Sequence, residues 1–278
     1  MKRKIKSFFD HFILSLLGFI WILPIIWLVM QSLRGEPRAF TSYIIPKKWT
    51  LDNYIKLFTE TSLFSFPGWF ANTVIVAVAS CIITTVLVLL TSYAFSRLRF
   101  KLRRPLMNII LILGMFPGFM SMTAVYHILK SIGLAQSLLS LILVYSGGAA
   151  MGYYIAKGFF DTIPRAIDEA ALIDGATKND VFWKITLPMS KPIIVYTIMT
   201  SFIAPFVDFI FVSVIMRDNY KKYTVALGLF QMISRENIDK YFTRFCAGAV
   251  LIAIPITLLF IKMQKYYVGG VTAGGAKG

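Results

Sequence analysis

Few side chains in this sequence have the type and spacing to do chemistry. Arg165, Asp168 and Glu169 fall at i, i+3 and i+4 and lay a polar stripe along one side of a short helix. Ala166, Ala170 and Ile173 form a second stripe, and Ala170-Ala171 lets another surface approach the backbone closely. Such a helix suits a cleft in a partner protein. Asp208, in Ala204-Pro205-Phe206-Val207-Asp208-Phe209, lies inside an apolar run. An ionised carboxylate there is costly unless it faces a polar cavity or a partner. It reads either as a structural carboxylate bonded between helices or as part of a translocation path. Asn72 and Tyr153-Tyr154 are equally embedded. They suit either interhelical packing or a sugar path, where amides bond hydroxyls and aromatic rings stack on sugars.

Other chemistries lack their residues. A serine nucleophile needs a histidine base, but around Ser146 the G-x-S-G context fails at Val144, and His127 is the only histidine near it in sequence. No GxxxxGK[ST] is present, and Gly147, Gly148, Gly152 and Gly158 lack the Lys-Ser/Thr pair that holds nucleotide phosphates. The chain is therefore expected to be non-catalytic, without cofactor, with any ATP bound by a partner. No metal-ligand cluster appears. Cys81 and Cys246 read as small buried hydrophobes.

The polar stripe belongs to the segment 162–190, expected to form two short helices joined at a glycine. Pro164 suits a first helical turn. Gly175 suits the left-handed position just past a helix end. Thr177 caps the second helix, with Asp180 three residues on completing a capping box, and that helix ends by Leu187-Pro188.

The rest of the chain is apolar. Of 278 residues, 57% are hydrophobic and 15% charged, and the mean hydropathy is +0.70. A soluble domain carries nearer a quarter charged residues. The expected fold class is an all-α polytopic membrane protein of one domain, with six helical spans at about 12–33, 69–96, 105–129, 137–156, 192–216 and 245–263 and a tail over 264–278. The N-terminal run is long enough to span and has no A-x-A-like cleavage site, so it reads as a retained first span. Polar connections cover 34–68 and 217–244. The net charge of +16 sits in short loops beside apolar runs, including five basic residues in the eight from Arg97 to Arg104. That placement argues for membrane orientation and against nucleic-acid binding. Six spans with basic cytoplasmic loops put both termini and the 162–190 loop in the cytoplasm.

Glu169-Ala170-Ala171, Gly175 and Ile185-Thr186-Leu187-Pro188 together resemble the EAA loop of permease subunits of ATP-binding-cassette importers. The glycine-rich end, VGGVTAGGAKG, resembles the tail of the maltose-type sugar permeases, in which it reaches toward the ATPase pair. The resemblance implies a complex in the cell membrane with a second, homologous permease, an ATPase dimer and an extracellular solute-binding protein. It implies a sugar substrate, an oligosaccharide such as a maltodextrin or a galactooligosaccharide. It also implies that Glu169, Ala170, Ala171, Gly175, Ile185, Leu187 and Pro188 couple the chain to the ATPases, and that the 217–244 connection meets the binding protein. Related permeases carry a W-N-D/E-F-like pattern in span five; here Phe206 and Val207 replace its first two residues, so Asp208 matches in part. A secondary carrier or an intramembrane enzyme is the alternative. The carrier would show pseudo-symmetric halves with broken helices, and neither feature is evident in the sequence.

Overall fold

In a computed structural model, residues 2–36 and 38–275 are described, with side chains described over 7–266 apart from 8 and 37. Positions 276–278 of the expected tail, Lys277 included, and the side chains of the basic N-terminal residues Lys2, Arg3, Lys4 and Lys6 lie outside these limits.

Helices account for nearly all regular structure among the described residues. They are α1 (Lys2–Ser32), α2 (Asp52–Thr59), α3 (Phe66–Arg97), α4 (Arg103–Met115), α5 (Gly118–Ser131), α6 (Leu138–Gly147) and α7 (Ala150–Thr162). After these come α8 (Arg165–Ile173), α9 (Lys178–Asp180), α10 (Leu187–Met189), α11 (Lys191–Val207), α12 (Ile210–Met216), α13 (Val225–Met232) and α14 (Ile238–Gly275). Three unbroken stretches are long and apolar enough to cross a membrane: Phe9–Ser32, Phe66–Arg97 and Ile238–Tyr266. Three bent pairs pass the same test, so the described residues hold up to six spans if each pair counts as one.

Breaks correct three of the expected spans, and the third bent pair, Lys178–Met189 with Lys191–Val207 (77°), joins the 162–190 segment to α11. Span three is two helices meeting at 103° around Phe116-Pro117. Proline withholds an N–H and disfavours helical backbone at the residue before it, and Phe116 is extended there. Span four bends by 40° between α6 and α7 and runs on to Thr162. Span five is interrupted just past Pro205: α11 stops at Val207, Asp208 is extended, and α12 restarts at Ile210. The connections are also more structured than expected, since 34–68 contains α2 and 217–244 contains α13 and the start of α14.

The chain divides into two compact units. The first comprises the chain to Pro67 with Gly228–Ile254, and the second comprises Gly68–Leu227 with the chain from Pro255. In the first, Arg34 is only 1% exposed and Asn53 donates to the carbonyls of Ser32 (2.9 Å) and Arg34 (2.8 Å) while accepting from Thr243. Gly248 has no space for a side chain, because a Cβ there would sit 2.6 Å from Leu229 Cδ2.

The second unit is organised on one face of α3. Thr73, Ala77, Ser80, Thr84, Val88, Ser92 and Ser96 recur every three or four residues and are all buried. Small side chains allow close helix approach, and their hydroxyls find carbonyls where no water can. Thr84 donates to the Tyr145 carbonyl, Ser92 to the Tyr153 carbonyl (3.0 Å) and Ser96 to Asp161 Oδ1 (2.6 Å). Below this ladder Val88, Leu89, Ala156, Phe160, Ile163 and Ile193 form a compact apolar cluster.

Candidate functional site

The second unit carries the polar stripe on α8. Pro164 precedes the helix at its cap position, one residue earlier than expected. Ile167 packs against the apolar cluster, which fixes which side of α8 points inward. Asp168 then meets Arg97 at the end of α3, with Nε and Oδ2 3.1 Å apart and both side chains largely buried. The same guanidinium donates to the Ile163 carbonyl (2.8 Å), and Arg165 donates to the Ser96 carbonyl (3.2 Å). One face of α8 is thus fastened to α3.

The opposite face is bare. Ala166, Glu169, Ala170 and Ile173 are exposed at i, i+3, i+4 and i+7, with Ile173 86% exposed. Ala171 is half-buried behind them. A 310 Å³ pocket between α3 and α8 is lined by Tyr93, Arg97, Arg99, Arg165, Asp168 and Glu169. The bare face sets an exposed isoleucine beside two alanines and one carboxylate.

The turn after α8 follows the expected chemistry. Gly175 has φ +89°, where a Cβ is disfavoured. Ala176 N–H donates to the Ala171 carbonyl (2.9 Å) and Gly175 N–H to the Leu172 carbonyl (3.2 Å), the bonding of a Schellman C-cap. Thr177 and Asp180 form the capping box in full. Lys184 bonds Asp180 (2.6 Å). That ammonium, with Thr177 beside it, holds the Asp180 carboxyl well below the usual carboxylate range.

Beyond the capping box the second helix is irregular. Val181–Thr186 is a π-helical turn, and Leu187 N–H reaches back five residues to the Phe182 carbonyl. Pro188 supplies no N–H to continue α-helical bonding, which accounts for the wider turn. Phe182 is buried against Tyr93, with ring centroids 4.6 Å apart. Leu187 packs on the apolar cluster and Ile185 is half-buried, while Pro188 is exposed. The motif residues therefore divide: Glu169, Ala170 and Gly175 face outward, and Leu187 anchors the segment to its own chain.

Of the three embedded polar residues, Asp208 and Asn72 are bonded away from this site. Asp208 accepts from the Tyr145 hydroxyl at Oδ2 (3.0 Å) and from Phe211 N–H at Oδ1 (3.0 Å), so it caps α12 where span five breaks. Asn72 donates to the carbonyls of Lys221 (2.9 Å) and Tyr223 (3.0 Å), tying α3 to the connection after α12. Tyr153 packs against the apolar cluster. The fastening is what the sequence alone does not reveal: by sequence Arg97 is one more membrane-orienting charge and Asp168 one more polar residue on the stripe. The inward turn of Ile167 carries Asp168 with it, but nothing local in the sequence marks Arg97 as its partner.

Comparison with known proteins gives the class. The model of the family described as binding-protein-dependent transport system inner membrane component matches residues 88–271. The chain is 36% identical over its whole length to the galactooligosaccharides transport system permease protein GanQ of Bacillus subtilis (strain 168), covering 98% of that protein. It is 35% identical over 99% of its length to the maltodextrin transport system permease protein MdxG of the same organism, covering 98% of it. A solved bacterial ABC transporter involved in import of the acidic polysaccharide alginate has a chain with the same fold (TM-score 0.78, 20% identity, 95% of this chain and 97% of that one). The molecule is a multi-pass α-helical membrane permease. It belongs to the binding-protein-dependent transport system inner-membrane-component family.

Proposed function

We propose that this chain is one of two permease subunits of an ATP-driven importer for an oligosaccharide of the maltodextrin or galactooligosaccharide kind. The names of its full-length relatives support that substrate class. In this reading both termini and the 162–190 hairpin face the cytoplasm, and a solute-binding protein delivers the sugar from outside. A pair of ATPase subunits supplies the energy, since the sequence has no phosphate-binding loop of its own.

The observation that carries the reading is the two-faced α8. Its inner face is fixed by Asp168–Arg97 and Ile167, while Ala166, Glu169, Ala170 and Ile173 stand free. A partner that grips the free face moves α3 with it, because the ion pair joins the two helices. Glu169 supplies a polar contact to the partner, the alanines allow close approach, and the Gly175 turn sets the angle to the next helix. Closure of the ATPases on ATP then rocks the spans between inward- and outward-facing states.

The test is to purify the tagged chain, coexpressed with an importer ATPase and a second permease of the same family, in mild detergent. Recovery of the ATPase with wild type, and its loss with Ala170→Asp, supports the docking role. Equal recovery with both sinks it. A panel of maltodextrins and galactooligosaccharides in an uptake assay then tests the substrate class.

A further inference from the structure

The first unit holds a second pocket of about 310 Å³, at the end of α1 and the loop that follows. Its walls include Trp27, Gln31, Arg34, Phe40, Thr41 and Tyr43. We propose that this pocket is a subsite for one pyranose unit of the transported oligosaccharide, an inference that rests on the substrate class proposed above.

The first argument is charge. No carboxylate lines the pocket among the described residues, and its one cation is already committed. Arg34 is 1% exposed and donates to the carbonyls of Glu36 (2.9 Å) and Arg38 and to Thr41 Oγ1 (3.2 Å), while stacking on Phe242. A guanidinium so occupied does not attract an anion, and the pocket suits a neutral polar ligand.

The second argument is hydrogen bonding. Gln31 is 1% exposed, and its Oε1 is buried with no partner. Its Nε2 has only the Ile44 carbonyl, at a long 3.4 Å. A buried acceptor left unpaired is costly, and a turn of the Gln31 amide toward the pocket lets a ligand hydroxyl satisfy it. The third argument is shape. Trp27 and Phe40 are 42% and 84% exposed, and flat apolar rings beside an amide acceptor match a sugar's apolar face and its rim of hydroxyls. The volume lies at the lower end of the ~300–1,000 Å³ range for ligand pockets, room for a single ring.

The probes are maltotetraose and β-1,4-galactotetraose carrying a photoactivatable diazirine, applied to the assembled importer in lipid nanodiscs. Photolabelling should map to the peptide from Trp27 to Ile44 and fall at least fivefold in Gln31→Leu, which keeps bulk and removes the acceptor. Trp27→Leu, at a more exposed position, serves as the second variant. In both, the apparent KM for uptake should rise roughly fivefold, as expected for one lost hydrogen bond or stacking contact, with maximal velocity within about twofold. Uptake by wild type without labelling of this peptide, or with KM unchanged in both variants, overturns the subsite and leaves the permease reading intact. Failure of the wild-type importer to transport either sugar overturns the proposed substrate class and the subsite together.

Discussion

Two polar connections in this chain look alike in sequence and behave oppositely in the fold. The 162–190 hairpin and the 217–244 connection both lie between apolar runs and both mix charges with aromatics, and the contrast is sharpest over the first part of the latter, 217–225. The hairpin presents Glu169, Ala170 and Ile173 outward. The other is laced to α3: Trp69 donates to the Tyr220 carbonyl, Asn72 to those of Lys221 and Tyr223, and Thr73 accepts from Val225 N–H. Tyr223, Thr224 and Val225 are buried as a result. The difference lies in where the polar groups are spent. Asp168 and Arg165 bond one side of α8 and leave the other side free, whereas the second connection gives its carbonyls to α3 and is held as structure.

The contrast can be broken by mutation, and the largest effect is expected at the free face. Ala170→Asp puts a charge where a partner must pack. Burying an unpaired carboxylate costs several kcal/mol, so uptake should fall by roughly a hundredfold or more while the amount of protein in the membrane is unchanged. Gly175→Pro should do the same, because proline cannot adopt φ +89°. Normal uptake from both variants would remove the lever role.

Breaking the fastened face comes next. Arg97→Ala strands the largely buried Asp168, at about 3–5 kcal/mol for a buried charge left alone. Faster hydrogen exchange should appear through 163–175, and uptake should drop with it. The Arg97→Met, Asp168→Leu double variant should recover much of the stability, and a double-mutant cycle reads the coupling directly. A purely additive cycle would mean that α8 is not held by this pair.

The second connection should respond in stability and not in coupling. Asn72→Leu removes two hydrogen bonds and should cost about 1–3 kcal/mol, seen as a lower thermal midpoint and exposed amides over 219–225. Copurification of the ATPase should be unaffected, and its loss would erase the distinction between the two connections. The smallest effect is at the hairpin cap. Thr177→Ala should cost about 1 kcal/mol of local stability. Asp180 is held below its ordinary value, so its contribution is present above that value and disappears as pH falls below it. Amide protection at Thr177–Asp180 should be flat from pH 8 to 5 and decline only under more acid conditions.

Much of this was legible in the sequence, and the reasons are local. The Schellman turn at Gly175 and the Thr177–Asp180 capping box are set by residues within a few positions of one another. Span count and membrane class follow from long apolar runs. The bends were less legible: Pro117 breaks span three, but the break in span five falls at Asp208, three residues past the proline that signals it. That placement depends on Tyr145, 63 residues away, whose hydroxyl meets the carboxylate. The buried face of α3 could have been read from the spacing of Thr73, Ala77, Ser80, Thr84, Ser92 and Ser96, which a search for apolar periodicity passes over. Arg97–Asp168 could not be read by spacing at all, because the two are brought together only when α7 returns alongside α3.

The central claim is that the free face of α8 is covered by the ATPase partner. The direct measurement is maleimide labelling of an Ile173→Cys variant in inside-out membrane vesicles, with and without the ATPase coexpressed. The native Cys81 and Cys246 are buried, so background labelling is low. Labelling of the lone chain, and at least tenfold protection when the ATPase is present, is the predicted result. Equal labelling in both preparations would contradict the account.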